Sequence, residues 1–392
     1  MKRSSHARVS AALLSLVTVL ALLAVAVTAA DASPTSWRAT PNPFFAFIPG
    51  PSGAATPTIA TESTGRLSGV SCVDSQFCFA VGSPGGAGGP SLTEYWDGKQ
   101  WYASPRSGVE NSTLTAISCA TRSFCMAVGY TTGSGTNTTT LAETWNGTNW
   151  SVPAAPNTVS AQNVLSGVSC TSQSFCIAVG NSSNGTTAKT LVERWNGSSW
   201  VILKSPNVGS ASSTLAGVSC DPGYLGISFC VAVGASGSGP TGGNGLIERF
   251  YNGSTWTIGS SSTVGGFESV SCVFLSSFCM VGTTTGISRW NGSSVTALAI
   301  PAPGPSFHPD FPGISCIGAS FCAAAERLSG PSPAAEHSTE LTWNGTAWSL
   351  PSGAVSSAGG LIGASCATTT FCALVGASNV AALDGPVAVV GS

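Results

Sequence analysis

Fourteen cysteines fall as seven close pairs: Cys72/Cys78, Cys119/Cys125, Cys170/Cys176, Cys220/Cys230, Cys272/Cys279, Cys316/Cys322 and Cys366/Cys372. Two chemistries are open to such pairs, disulfide formation and metal ligation. Joining each Cys to its near neighbour is the simplest of the many connectivities an even set allows. Zinc needs two close pairs, or Cys with His, converging from different segments. Beyond the first thirty residues the chain has only His308 and His337 to offer. One disulfide per pair is therefore expected, stapling a hairpin across its loop, with no metal and no cofactor.

The two histidines carry the other candidate chemistry. His308-Pro309-Asp310 lies close in sequence to Glu326-Arg327 and Glu336-His337. Together His308, Asp310 and His337 could hold a metal or act as a general acid/base set. The plainer reading is solvated polar groups in long surface loops, so no catalytic residue is assigned. Glu94, Glu143 and Glu193 each precede a Trp by two residues, which suggests a hairpin partner such as a backbone amide or hydroxyl. No nucleophile elbow, phosphate loop, dinucleotide fingerprint or paired catalytic carboxylates are present. Charged residues make up 8% of the chain and the formal net charge is -2, too little basic field to hold a phosphate backbone. No nucleic-acid partner is expected.

The elements that must position these residues are short strands. The Cys pairs recur at intervals between 44 and 52 residues, measured from the first Cys of each pair. Each repeat opens with a strand such as Leu114 to Cys119, rich in small residues (Gly69, Ala116, Gly167, Gly217, Gly313) that suit a crowded axis. A second strand runs from Phe-Cys through Ala-Val-Gly. A third ends in an aromatic residue before Asn-Gly or Asp-Gly, and a fourth starts near the next Trp. Seven such units specify an all-β fold: a seven-bladed β-propeller of four-stranded antiparallel blades. Asn-Gly is a strong two-residue type I′ hairpin signal, which would pair Trp145 with Thr148 and place Glu143 opposite Trp150. The Trp pairs at 96/101, 145/150, 195/200 and 343/348 are expected to pack between blades. The Asn-x-Ser/Thr sequons at Asn146 and Asn196 coincide with these turns, and the turn requirement explains them without glycosylation.

This order of strands resembles kelch-type propeller repeats. More closely it is similar to secreted bacterial repeat proteins with Ser-Cys…Phe-Cys-x-Ala-Val-Gly and Trp-Asn-Gly-Thr-x-Trp. The resemblance covers roughly residues 65–392. It departs from kelch repeats in having one Gly where they place two and in the added Cys pair, so kelch functions do not transfer. The Trp-Asn-Gly turn also faintly resembles the Asp-box of sialidases, with a spacing that does not match.

Ahead of the repeats, Lys2, Arg3 and Arg8 precede an apolar run from Val9 to Ala30, and Ala30-Asp31-Ala32 suits a signal peptidase. Residues 1–32 read as a secretory signal, with an uncleaved anchor as the competing reading. Residues 33–64 read as a Pro/Ser/Thr-rich linker and 65–392 as the propeller. Trp37-Arg38-Ala39-Thr40 resembles the end of a repeat and could close the ring; alternatively, Pro386 to Gly391 is itself the fourth strand of blade seven. Loops joining strand two to three, and strand four to the next strand one, share one end of the ring, here the loop face. The Cys loops and Asn-Gly turns share the other, the turn face. Variable Gly/Ser/Thr loops on a rigid scaffold predict a secreted, monomeric, non-enzymatic binding module with a polysaccharide or protein ligand. The alternative is a glycan hydrolase or lyase built on the blade-six loops.

Overall fold

A computed structural model describes residues 37–40, 65–84, 88–104, 107–221, 229–237, 243–251, 255–263, 265–273, 278–302, 304, 306–330, 337–351, 357–378 and 386–391. All belong to the unit Ser33–Ser392. The expected signal segment 1–32, most of the expected linker, the Asn252-Gly253 and Asp384-Gly385 turns and Glu336 lie outside the described residues.

Every described element is a strand. Blade three shows the plan, with strands Gln162–Ser172, Phe175–Ser183, Ala188–Trp195 and Trp200–Leu203 paired antiparallel in that order. Blade seven takes its first three strands from Ser357–Thr368, Phe371–Ser378 and Pro386–Gly391. Its fourth is Trp37–Thr40, which pairs antiparallel with Pro386–Gly391. The Trp37 segment thus completes the last blade, and Pro386–Gly391 is its third strand rather than its fourth.

Strand alternation sends successive side chains to opposite faces of a blade, so both faces of every blade are apolar and pack on a neighbour. Seven apolar clusters result, one between each adjacent pair of blades. The cluster joining blade seven to blade one contains Leu67, Trp96, Trp101, Phe371 and Val375. Eight tryptophans, 96, 101, 195, 200, 256, 290, 343 and 348, are buried in these seams, while Trp145 and Trp150 pack partly buried in theirs. The first indole of a pair also ties its strand to the Cys loop of its own blade: Trp96 Nε1 donates to Ser75 O at 3.1 Å and Trp195 Nε1 to Gln173 O at 3.1 Å.

All seven expected disulfides are present and no Cys is free: Cys72–Cys78, Cys119–Cys125, Cys170–Cys176, Cys220–Cys230, Cys272–Cys279, Cys316–Cys322 and Cys366–Cys372. Each joins directly opposed residues of strands one and two, as in the Cys170↔Cys176 register pair. Their role is wider than the hairpin staple that the sequence suggests, because the two partners differ in burial. Cys78, Cys125, Cys176, Cys230, Cys322 and Cys372 are fully buried, and Cys279 nearly so. Each of these second-strand sulfurs belongs to a different one of the seven seams. The burial has a physical cause: the second strand has a neighbouring strand on both edges and a neighbouring blade on both faces, so its Cys is a core residue as well as one end of the expected staple.

Beside the disulfides runs a second sevenfold feature. The Ser preceding each first-strand Cys accepts a hydrogen bond from the Cys N–H of the next blade. Cys119 N donates to Ser71 Oγ, Cys170 N to Ser118 Oγ and Cys220 N to Ser169 Oγ, each at 2.9 Å. The ladder continues from Cys272 to Ser219, Cys316 to Ser271 and Cys366 to Ser315. It closes with Cys72 N on Ser365 Oγ at 2.9 Å.

The outer hairpins differ from the two-residue expectation. Trp145 pairs directly with Trp150, and Trp195 with Trp200, so four residues form the loop. Only the Gly takes positive φ, +99° at Gly147 and +97° at Gly197. The Asn side chain supplies the missing order: Asn146 Oδ1 accepts from Thr148 N at 3.0 Å and Asn149 N at 2.8 Å. This Asx turn needs a short acceptor side chain at its first residue, which is why Asn or Asp recurs there.

The ladder and the tight second strand give different mutational costs. Ser169→Ala leaves the Cys220 N–H without its acceptor and should cost about 1–3 kcal/mol. At Gly180 an added Cβ would meet Val164 O at 2.0 Å, so Gly180→Ala must push two bonded strands apart and should cost about 3 kcal/mol or more. Urea unfolding midpoints at unchanged slope measure both, and the reverse order would contradict this packing.

Candidate functional site

The first strands line an axial channel. Each carries a one-residue β-bulge at the same place, seen as register shifts at Leu67/Gly69, Leu114/Ala116, Leu165/Gly167, Leu215/Gly217, Phe267/Ser269, Asp310/Gly313 and Leu361/Gly363. A bulge re-aims a side chain out of the alternation. Here it turns one residue per blade toward the axis: Ser68, Thr115, Ser166, Ala216, Glu268, Pro312 and Ile362 line a cavity of about 150 Å³ with their neighbours. The bulges lie near the start of each first strand, so the lining they form lies nearer the loop face than the turn face. Of the seven equivalent positions only Glu268 is ionisable.

Glu268 and its neighbour Ser269 bracket blade six. Ser269 Oγ donates to Phe311 O at 2.8 Å, and the Glu268 carboxylate accepts from the Phe311 backbone N–H. The second carboxylate oxygen, Oε2, is shut off from solvent and has no hydrogen-bond partner. Burial, with the Asp310 charge adding to it and Arg327 opposing it, pushes the Glu268 carboxyl up to about 7.

The histidine set predicted from sequence sits in strands rather than loops. His308 and Asp310 begin the first strand of blade six, His308–Gly318, and His337 begins the third, His337–Trp343. The second strand, Phe321–Ser329, runs between them: His308 pairs with Ser329, and Leu328 pairs with His337. Two strand spacings, roughly 10 Å, separate the histidine backbones. Asp310 is held by Arg327, whose Nε lies 3.1 Å from both carboxylate oxygens. His337 packs edge-on against Phe307 at 4.8 Å. The structure thus joins Asp310 to Arg327 and leaves the imidazoles on either side of a strand. With every Cys committed to a disulfide, no thiolate is left to join them. Among the described residues no three His, Cys, Asp or Glu group as a metal site.

Sequence reasoning passed over Glu268 and placed Glu326 in a loop, whereas Glu326 lies within the strand Phe321–Ser329. The signal for both lies in the aligned columns. Glu268 occupies the place of Ser166, and Glu326 the place of Gly180, four residues after the Cys of its strand. In blade three Leu165 pairs with Gly180, whereas the corresponding Phe311 and Glu326 drop out of the ladder. Glu326 is 4% exposed, and burial pushes its carboxyl up to about 7.

The third-strand glutamates are buried between blades. Glu143 accepts from Ser107 Oγ at 2.6 Å and Glu248 from Ser205 Oγ at 2.7 Å. Each hydroxyl comes from the segment leaving the preceding blade, not from the hairpin itself. Glu193 has the same burial, 0% exposed, but neither of its oxygens has a partner. The sequence explains the difference. Ser205 lies five residues after Trp200, and the residue five after Trp150 is Ala155, which packs on the same cluster without a hydroxyl. Burial alone pushes Glu193 up to about 8. Glu248 reaches about 7, its burial partly offset by Ser205.

Neither a protein-family model nor a curated protein matches the chain. Solved structures do. YCF48 from Cyanidioschyzon merolae is 14% identical, covering 91% of this chain and 98% of its own, with a TM-score of 0.51. YCF48 bound to D1 peptide is 11% identical over 92% and 99% of the two chains, with a TM-score of 0.50. An ulvan lyase of polysaccharide lyase family PL25 is 8% identical over 80% and 92%, with a TM-score of 0.47. The likeness to YCF48 shows the propeller fold and nothing finer.

The bare Glu193 pocket generates a pH prediction. Unfolded, this carboxyl titrates near 4.5; folded, it keeps its proton to about 8. Across that window the folded state binds the extra proton, so stability falls as pH rises. Ala155→Ser supplies a donor for the carboxylate and should stabilise the protein by about 1–2 kcal/mol at pH 8, with little effect at pH 5. Glu193→Gln should flatten the same slope. Stability curves for either variant that run parallel to wild type would refute the assignment.

Proposed function

We propose that the Ser33–Ser392 unit is a non-enzymatic binding module that takes a protein ligand on the loop face, over the mouth of the axial channel. One observation carries this reading. Among the described residues the turn face repeats its Asx turn at Asp97, Asn146, Asn196, Asn291 and Asn344, whereas the loop-face side of blades five and six departs from the repeat at several neighbouring positions. Glu268 is the one ionisable residue among the seven axial positions, Thr283 and Glu326 stand in for Gly, and the Asp310–Arg327 pair lies in blade six beside them. Local rules broken together on one side of a regular scaffold mark a site.

A protein ligand is favoured over a polysaccharide because sugar recognition draws on exposed aromatic faces, and eight tryptophans are spent inside the inter-blade seams. The peptide in one YCF48 structure is in keeping with a peptide-sized ligand. Seven disulfides point to an oxidising compartment, and the apolar run before Ala32 would deliver the chain there as a secretory signal. Among the described residues no helix is long and apolar enough to cross a membrane.

The test is a panel of cell-surface proteins, peptides and cell-wall glycans, assayed for binding and for hydrolysis with and without chelator. Binding without turnover is expected. Ile362→Trp, which fills the axial mouth, should weaken it at least tenfold. Thr148→Arg on the turn face and the His308→Ala/His337→Ala pair should change it less than twofold. Turnover that a chelator or the histidine pair abolishes would overturn the module and make blade six an active site, and glycan-only binding would overturn the choice of ligand.

A further inference from the structure

We propose that the outer wall of blades three to five docks on a membrane surface rich in anionic lipid, with arginines meeting the head groups and neighbouring apolar side chains entering the interface. This wall is separate from the loop face, and the proposal stands or falls independently of the ligand taken there.

The arginines repeat with the blades. Arg194, Arg249 and Arg289 each sit one residue before the third-strand aromatic of their blade, Trp195, Phe250 and Trp290. The same place in blades one, two and six holds Tyr95, Thr144 and Thr342. Trp195 packs toward blade two, Phe250 toward blade three and Trp290 toward blade four. Strand alternation therefore turns Arg194 toward blade four, Arg249 toward blade five and Arg289 toward blade six. Gly259 records this placement for Arg249: an added Cβ would lie 3.5 Å from both Arg249 Cδ and Trp290 Cζ2 of blade five. Arg249 and Arg289 are exposed and Arg194 is half-buried, so the three line the outer rims of consecutive seams.

Among the described residues none of the three has an ion-pair partner. The acids of the same blades lie elsewhere. Glu193 and Glu248 are buried in seams, Glu268 belongs to the axial lining, and Asp221 ends the first strand of blade four. Lys204, exposed just past the fourth strand of blade three, adds another cation. The whole chain has a formal net charge of -2, so this wall runs against its average sign.

Apolar exposure coincides with the charge. Val201 and Ile202 of blade three and Tyr251 and Ile258 of blade four are each at least 40% exposed. Just past their fourth strands, blades two and six expose one large apolar side chain each, Val152 and Leu350. Val201 pairs directly with Arg194 and shares its side of the sheet. Ile258 pairs with Glu248, whose carboxylate reaches Ser205 at the exit of blade three, so Ile258 borders the same seam from the other blade. Tyr251, two residues past Arg249, shares the side of that arginine.

An anionic bilayer uses both features, since apolar burial and attraction to head groups add. A soluble polyanion has no use for Val201 or Ile258. A second copy docked here about a two-fold axis would set arginine against arginine. The wall is convex, so a flat surface meets only neighbouring blades, in keeping with the doubled apolar exposure on two adjacent ones.

The experiment measures co-sedimentation of the Ser33–Ser392 unit, which holds every described strand and all seven seams, with lipid vesicles. Vesicles of phosphatidylcholine alone are compared with vesicles in which about one lipid in three is phosphatidylglycerol. Partition onto the anionic vesicles should be at least tenfold stronger. Raising salt from about 0.1 M to about 1 M, which shortens the screening length from about 10 Å to about 3 Å, should remove most of that gain. Arg194→Gln/Arg249→Gln/Arg289→Gln should weaken partition at least tenfold, and Arg66→Gln/Lys99→Gln on blade one should change it less than twofold. Val201→Ser/Ile258→Ser should weaken it at least threefold. Equal partition of the wild-type unit onto the two kinds of vesicle would overturn the proposal without reliance on any variant. Capture by immobilised polyphosphate, with vesicle binding untouched in the Val201/Ile258 pair, would assign the wall to a soluble polyanion instead. Absence of vesicle binding, with a panel protein released by the triple arginine variant, would assign it to a protein.

Discussion

The seven hydrogen bonds from Cys N–H to the Ser Oγ of the preceding blade set the constraint on which the other features depend. Each crosses a blade boundary close to the axis, at the residue next to the disulfide. The Ser fixes how far one blade sits from the next, and the adjoining Cys fixes the hairpin within the blade. One dipeptide thereby controls both the radial and the circumferential spacing. The ladder closes through Ser365 and Cys72 without using the termini, so the Trp37–Thr40 strand completes a ring that the ladder and the seventh apolar seam already join. A disulfide closing a loop of seven residues adds about 2 kcal/mol in the chain-entropy account, which suits a domain whose strands are short and rich in Gly, Ser and Thr.

With spacing fixed, the first strands approach so closely that bulk is excluded: a Cβ on Gly69 would lie 2.9 Å from the Cα of Ala116. The bulge relieves this crowding by sending one side chain per blade toward the channel, and the identity of that side chain is the freedom left to the repeat. Blade five uses it for a carboxyl that grips the backbone of blade six with one oxygen and leaves the other bare. An unpaired buried oxygen carries a desolvation cost, and buried third-strand glutamates such as Glu143, Glu193 and Glu248 carry it as well. Glu193 bears this cost inside a seam, where Ala155 leaves both of its oxygens without a hydroxyl.

The architecture was legible because its signals repeat. Paired Cys, Ala-Val-Gly and Trp-Asn-Gly, each present several times, specified blade number, strand order and disulfide pairing. Spacing told which Cys join, but not that the second of each pair, from Cys78 to Cys372, fills a seam between blades. The hairpin register was misread because Asn-Gly suggests a two-residue turn. In the structure the Asn side chain, rather than positive φ at two residues, orders a four-residue loop, and Trp145 faces Trp150. The histidines attracted attention by residue type alone, yet one strand lies between them and Arg327 already holds Asp310. Glu268 was overlooked because its meaning depends on a bulge, which appears as a register shift between strands and leaves no mark in a single strand's alternation. The Ser of each Ser-Cys dipeptide was legible as a repeat but not as an inter-blade acceptor, since its partner lies 45 to 53 residues ahead in six blades and across the ring closure in the seventh.

The central claim is a division of labour: a uniform turn face and ring that hold the structure, and a loop-face mouth at blades five and six that meets the ligand. Hydrogen–deuterium exchange on the full chain, with and without a bound panel protein, tests it most directly. The account predicts new protection confined to the starts of first strands around the mouth, strongest at Phe267–Ser269 and Phe311–Gly313. Protection centred on the Asn146–Asn149 and Asn196–Ser199 turns, with the mouth unchanged, would contradict it.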